Sequence, residues 1–282
     1  MKSMVCITGA SGGLGKAFAV ECAQRGWDLF LTDVSKEALN HLAGGLTNTY
    51  GVKVICHPCD LTDPSSRMAL FEKMRKEGVR FWSLINVAGV DFEGHFAART
   101  PVQIHTILRL NIEATVEMTY MALELRSKGA PFRLITVSSL AAYYPMPVKA
   151  IYAASKRFLL DFSLALREEI RPLGGTVTVL CPAGMPTTEI NIRGIDAQGF
   201  MGRITTKNVG FVAARTIEHA LRGKAVYIPG FLNRVLRLLG SIVPPTLAAR
   251  FIGRRWNAAH QKSAFRDMAY SKDKSHQAAA TA

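Results

Sequence analysis

Short apolar runs of four or five residues punctuate the chain: MVCIT (4–8), DLFLT (28–32), VKVIC (52–56), WSLIN (82–86), RLITV (133–137), TVTVL (176–180) and AVYI (225–228). Between them, apolar positions recur at helical spacing over 14–25, 65–77, 102–127, 153–170 and 208–221. Near-continuous apolar strands alternating with helices predict a parallel sheet covered on both faces. Seven runs predict an α/β fold, a doubly wound seven-stranded sheet in one domain over 1–230. An amphipathic, basic helical extension is expected over 231–270. The small polar residues of 271–282 predict a disordered tail.

Composition bounds the function. Of 282 residues, 49% are hydrophobic and 20% charged, enough for one large core. No charge-free apolar run is long enough to span a bilayer, and the apolar run before the first glycines is too short for a secretory signal. A cytoplasmic protein is the expectation. The five cysteines (6, 22, 56, 59 and 181) include CHPC at 56–59, a redox or metal half-site in form. Its two thiols, three apart in an extended run, face opposite sides, and no second Cys/His pair stands at zinc-ligand spacing. Reduced core thiols and no metal are the expectation.

Immediately after the first apolar run comes TGASGGLGKAF, with Gly9, Gly13 and Gly15 opening a helix. Glycines there allow a tight turn and let a pyrophosphate sit on the helix N-terminus. Asp33, directly after the second run, is placed to accept hydrogen bonds from an adenosine ribose. The alternative role, N-cap of the next helix, falls better to Ser35. A 2′-phosphate beside Asp33 would meet a repulsion of up to ~4 kcal/mol at 4 Å and an effective dielectric of 20. Gly12, before Gly13, offers that phosphate no cation, although Lys36 is near. NAD(H) is therefore expected as the preferred cofactor, with NADP(H) the alternative.

In IYAASKR (151–157), Tyr152 and Lys156 stand four apart and share one helix face. Such a pair alone is more often structural. Together with TGASGGLG (8–15), NVAG (86–89), SS (138–139) and YAASK (152–156) in that order, it makes the chain resemble the short-chain dehydrogenase/reductase family over about residues 3–230. The resemblance implies a Rossmann-type oxidoreductase that moves hydride between a nicotinamide and a carbonyl or alcohol.

By that resemblance the catalytic residues are Tyr152, Lys156, Ser139 (rather than Ser138) and Asn111. Cofactor contacts fall to Gly9, Ser11, Gly13, Leu14, Gly15, Asp33, Asp60, Leu61, Asn86, Ala88, Gly89, Tyr152, Lys156, Pro182 and Gly184. Tyr143 and Tyr144 fall where relatives shape the substrate pocket. The family's Pro-Gly after the sixth strand is interrupted here by Ala183. That departure leaves the register open between Thr188 and Thr187 for the carboxamide contact, with Thr188 the candidate. A lid is expected over 187–206, its apolar inner face built from Met185, Ile190, Ile192, Phe200 and Met201.

Chemistry accounts for these residue types. Reducing a ketone requires a proton for the forming alkoxide, and oxidising an alcohol requires a group to take one. Bringing a phenol from about 10 to about 7 needs ~4 kcal/mol. One cation at ~4 Å supplies about that at an effective dielectric of 20, and Lys156 is the expected cation. Ser139 would donate to the carbonyl oxygen, and Asn111 would hold a water linked to Lys156.

The formal charge is +14, and residues 203–282 hold 14 Lys/Arg against only Glu218, Asp267 and Asp273. Residues 230–256 read as two short amphipathic helices split by Pro244-Pro245, with Leu232, Val235, Leu236 and Leu239 on one stripe and Arg234, Arg237, Arg250, Arg254 and Arg255 elsewhere. A cap over the substrate pocket or a homo-oligomer contact (dimer or tetramer) competes with an anionic membrane surface and an acidic carrier protein. No nucleic-acid module accompanies the charge. The expected activity is interconversion of a secondary alcohol and a ketone on a hydrophobic substrate, a hydroxysteroid or long-chain ketone. Reduction of a 3-oxoacyl thioester, or a non-catalytic dinucleotide sensor, are the competitors.

Overall fold

Residues 3–186 and 205–254 are described in the computed structural model of the chain. Strand β1 (Met4–Thr8) is buried along its whole length. Its alternate side chains nevertheless part to opposite faces, as a pleated strand requires. Val5 and Ile7 join a core with Phe18 and Val212, while Met4 and Cys6 join another with Leu70 and Met118. Two apolar layers on one strand can be satisfied only by helices on both sides of the sheet.

The other strands are β2 (Leu29–Asp33), β3 (Val54–Pro58), β4 (Phe81–Asn86), β5 (Phe132–Val137), β6 (Gly175–Leu180) and β7 (Val226–Tyr227). All neighbours pair in parallel, in the order β3-β2-β1-β4-β5-β6-β7. The chain winds outward from β1 in one direction and then from β4 in the other. That reversal leaves a crevice at the carboxyl ends of β1 and β4, where such sheets bind ligands. The seven-stranded parallel sheet is the architecture expected from the apolar runs, each displaced by no more than two residues.

The helices that pack on the sheet or border the crevice are α1 (Gly13–Gln24), α2 (Lys36–Tyr50), α3 (Pro64–Lys76), α4 (Pro101–Ile107), α5 (Ala114–Glu124), α6 (Ala150–Ile170), α7 (Val209–Leu221) and α8 (Phe231–Ile242). Ser35 caps α2 by accepting from the Ala38 N–H, which leaves Asp33 for another use. The single helix expected over 102–127 is two, joined through a π-helical stretch, Leu108–Glu113, that contains Asn111. Such bulges are frequent at functional sites because the extra residue re-aims a side chain.

The five cysteines are free. Cys56 Sγ lies 3.6 Å from the Leu39 carbonyl, and burial pushes the Cys59 thiol up to about 11. The expected tail over 271–282, and residues 255–270 of the extension, lie outside the described residues.

Candidate active site

Each candidate group leaves the sheet at the carboxyl end of a strand or from the helix that comes next. After β1, Gly9 takes a left-handed turn with φ +64, and a Cβ there would stand 2.8 Å from Ala88 backbone atoms. A Cβ on Gly15 would stand 2.0 Å from the Gly9 carbonyl oxygen. Only glycine lets the turn, the start of α1 and the β4 loop come this close. Gly12 precedes α1 and Gly13 begins it, so Gly13 and Leu14 carry N–H groups without helical acceptors, as an anion site needs.

Asp33 ends β2 beside this loop. Its Oδ2 accepts from the Ser11 N–H at 2.9 Å and its Oδ1 from the Val34 N–H at 2.7 Å. The carboxylate therefore holds the glycine loop in place. Beyond β3, exposed Asp60 accepts from the N–H and hydroxyl of Thr62, and Leu61 is buried.

Thr8 Oγ1 accepts from the Val87 and Ala88 N–H groups at 3.1 and 3.3 Å, tying the ends of β1 and β4. Asn86, buried, donates to Thr119 at 2.9 Å. Gly89 lies between the two central candidates. A Cβ on it would be 3.2 Å from both Asn111 Oδ1 and Lys156 Nζ.

Ser138 and Ser139 separate cleanly. Ser138 Oγ is buried and donates to the Lys156 carbonyl at 2.7 Å, a bond that serves α6. Ser139 Oγ donates to the Pro182 carbonyl at 3.5 Å, accepts from the Ala141 N–H at 3.1 Å, and stands close enough to the Tyr152 phenol to lower its pKa. Lys156 is buried, with Nζ donating to the Val137 carbonyl at 3.0 Å and lying 5.7 Å from the Tyr152 ring centroid. Desolvation pushes its pKa down to about 8.

Asn111 projects its side chain from the π-helical stretch toward the β4 loop. Its Oδ1 accepts from the Val90 N–H at 2.8 Å, and its Nδ2 donates to the Val90 carbonyl and to Ser155 Oγ, both at 3.0 Å. The amide clamps the β4 loop onto α6, with both its donors on protein. Ser155 completes the clamp by donating to the Tyr152 carbonyl at 2.8 Å.

The electrostatics of Tyr152 differ from a simple pairing with Lys156. Burial raises the phenol's pKa, and Asp91 raises it further; Ser139 and Lys149 act in the opposite sense. Lys149 lies 5.8 Å from the Tyr152 ring centroid and pairs with Asp91 at 2.5 Å and Glu93 at 2.8 Å. Burial would lower the Lys149 pKa, but the two carboxylates hold it above its usual value. Val148, just before it, has φ 67, a strained conformation for a β-branched residue, and such strain concentrates at functional sites. Lys149, Asp91 and Glu93 were not legible as site residues. Their only sequence signal is charge in otherwise apolar segments.

After β6, the buried Pro182 accepts through its carbonyl from the Leu140 N–H at 2.8 Å, and Gly184 is exposed. Met185 is partly buried against the core of β1 and α1. Thr188, Thr187, Ile190, Ile192, Phe200 and Met201, and the expected lid apart from 205–206, lie outside the described residues. Tyr144 hydrogen-bonds through its hydroxyl to the Leu236 carbonyl of α8, and Arg237 lies 5.5 Å from the centroid of the Tyr143 ring.

A dinucleotide-type crevice with Ser, Tyr and Lys beside it defines a class of oxidoreductase. Residues 3–196 match the short chain dehydrogenase family, and the chain belongs to it. It is 34% identical over 187 residues to a very-long-chain 3-oxoacyl-CoA reductase of Anas platyrhynchos, covering 62% of this chain and 57% of the relative. It is 32% identical over 193 residues to the 17-beta-hydroxysteroid dehydrogenase type 3 of Homo sapiens, covering 66% and 60%. The match thus spans under two thirds of these relatives' length. Among solved structures, a short-chain dehydrogenase from Sphingobium yanoikuyae in complex with NADPH superposes with a TM-score of 0.72 at 28% identity, covering 86% of this chain and 97% of that one.

Proposed function

We propose that the protein interconverts a secondary alcohol and a ketone on a hydrophobic substrate, such as a hydroxysteroid or long-chain ketone, with a nicotinamide dinucleotide as partner. One observation carries this reading: the Lys156 ammonium lies 5.7 Å from the Tyr152 ring, with Ser139 near enough to the phenol to lower its pKa, at the crevice bounded by Gly9 and Gly89. The cradle fits the cofactor, because Gly9 and Gly15 leave space where a side chain would stand and the first N–H groups of α1 lack helical partners.

When bound, the dinucleotide supplies or takes the hydride. Tyr152 gives its proton to the forming alkoxide, or in reverse takes the proton of the alcohol. Ser139 donates to the substrate oxygen and orients it. Lys156, fixed by the Val137 carbonyl, would hold the nicotinamide ribose and stabilise the phenolate. Gly9, Ser11, Gly13, Leu14 and Gly15 would hold the pyrophosphate, and Asp33 the adenosine ribose. Asp60, Leu61, Asn86, Ala88, Gly89, Pro182 and Gly184 would line the rest of its path, with Thr188 for the carboxamide. Asp33 favours NAD(H), since a 2′-phosphate there would meet its charge.

A second reading, reduction of a 3-oxoacyl thioester, is favoured by the duck relative's name and by the basic C-terminal surface, which would suit an acidic carrier. Turnover of steroids, long-chain ketones and acyl thioesters with NADH and NADPH, followed at the nicotinamide absorbance, tests the proposal. Dinucleotide binding without turnover of any of them would instead indicate a sensor.

A further inference from the structure

Helix α8 is amphipathic in the wrong sense for a surface helix. On a helix of about 3.6 residues per turn, Phe231, Leu238 and Ile242 return to one side. That side is the exposed one: the three residues keep 76%, 60% and 71% of their surface. The inward side carries Asn233, which is buried, and Gly240, where a Cβ would strike the Tyr144 ring at 2.6 Å. The stripe of Leu232, Val235, Leu236 and Leu239 lies edgewise, with Leu239 49% exposed. The physical reason is that Leu236 and Gly240 must meet Tyr144, which fixes the rotation of the helix.

The pattern continues past Pro244. Residues 245–254 are helical, with Leu247 and Phe251 exposed, and Gly253 packs on Pro147. Arg234, Arg237, Arg250 and Arg254 are exposed among these apolar side chains. Between Glu218 and Asp267 the chain has no acidic residue.

We propose that the outward face of α8 and residues 245–254 docks on an anionic lipid surface, with Phe231, Leu238, Ile242 and Phe251 entering the headgroup layer and the arginines meeting lipid phosphates. Charge decides against a second copy of the chain. A two-fold contact would set arginine against arginine with no carboxylate in the segment to compensate. An acidic protein would satisfy the arginines but gives no reason for exposed apolar side chains interleaved with them. A bilayer interface satisfies both. The opposite side of the same segment is joined to the candidate site. Leu236, Arg237 and Gly240 hold the 140–144 turn after Ser139, and Gly253 holds Pro147 ahead of Tyr152. Docking would open the substrate crevice beside the lipid, which deepens the proposed reading of a hydrophobic substrate and rests on it only in that respect.

Co-sedimentation of the full chain with phosphatidylcholine vesicles, with and without phosphatidylglycerol, tests the docking independently of turnover. The expected result is sedimentation with the anionic vesicles, weakened by high salt, and little with neutral ones. The triple variant Phe231→Ser, Leu238→Ser, Ile242→Ser should lose at least about tenfold in partitioning, since each side chain buries apolar surface. Arg234→Gln should lose about fivefold, the equivalent of ~1 kcal/mol per basic residue near such a surface. Both variants should keep the wild-type melting temperature and the turnover of a water-soluble ketone. Equal sedimentation of the triple variant would overturn the proposal. So would the absence of wild-type sedimentation, a dimer in sedimentation velocity that the triple variant dissolves, or binding of an acidic carrier that ignores the apolar substitutions. Failure of every ketone to turn over, with vesicle binding intact, would sink the functional reading and leave the docking standing.

Discussion

Lys149 Nζ lies 2.5 Å from Asp91 Oδ2, and this ion pair joins the loop after β4 to the N-terminal end of the helix that carries Tyr152. Glu93 adds a second carboxylate at 2.8 Å, and the Gly94 N–H donates to the Val148 carbonyl at 2.9 Å. The pair therefore sets both the position of the phenol and its electrostatic surroundings.

The sign of each charge predicts opposite pH effects. The groups around the phenol are Asp91 from the β4 loop, Lys149 at the N-cap of α6, Lys156 within α6, and Ser139 after β5, with Glu93 paired to Lys149. Asp91 raises the Tyr152 pKa, so Asp91→Asn should move the rising limb of the alcohol-oxidation pH profile to lower pH. Lys149 lowers it, so Lys149→Met should move the same limb to higher pH. Profiles of kcat/KM that fail to separate in these directions would contradict the assignment.

Tyr152→Phe removes the proton donor while leaving the crevice intact. Turnover should fall by about 10²–10⁴-fold. Dinucleotide binding, measured by fluorescence titration, should change little. Ser139→Ala should cost about 10²-fold through loss of the donor to the substrate oxygen.

Lys156 is a buried ammonium whose pKa falls to about 8 from an unfolded value of 10.5. Below pH 8 it is protonated in both states, and the folded state bears a desolvation cost of about 3 kcal/mol. Between pH 8 and 10.5 the unfolded chain binds the extra proton, so this contribution to stability rises with pH. Lys156→Met should therefore melt higher than wild type at pH 7, the gain shrinking towards pH 10.5, while being inactive. Differential scanning calorimetry across that range reads the trend.

Gly89→Ala would push a methyl group to 3.2 Å from both Asn111 Oδ1 and Lys156 Nζ. Overpacking of this kind costs about 1–3 kcal/mol. A melting temperature lower by roughly 2–4 °C per kcal/mol is expected at this chain size, with kcat reduced more than KM is raised.

Asp33→Ala should weaken NADH and improve NADPH, a swing of up to ~4 kcal/mol in relative kcat/KM. Because Asp33 also accepts from Ser11 N–H, the variant should lose affinity for NADH even where no 2′-phosphate is involved.

The apolar runs and glycine spacing determined the sheet, its helices and the glycine turn after β1, because burial on both faces and a tight βα turn impose local residue types. Tyr152 and Lys156 stood out through the order of TGASGGLG, NVAG, SS and YAASK, because their spacing of four on one helix side is by itself more often structural. What only the folded chain decided are relations between distant segments. Asn111 is turned onto Val90 by a π-helical stretch with no distinctive residue signature. Lys149 meets Asp91 across 58 residues of sequence, a pairing that depends on where β4 and α6 end. The rotation of α8 was set by one tyrosine and one glycine, not by its own apolar stripe. Periodicity records which side of an element is apolar; only packing settles which way that side faces.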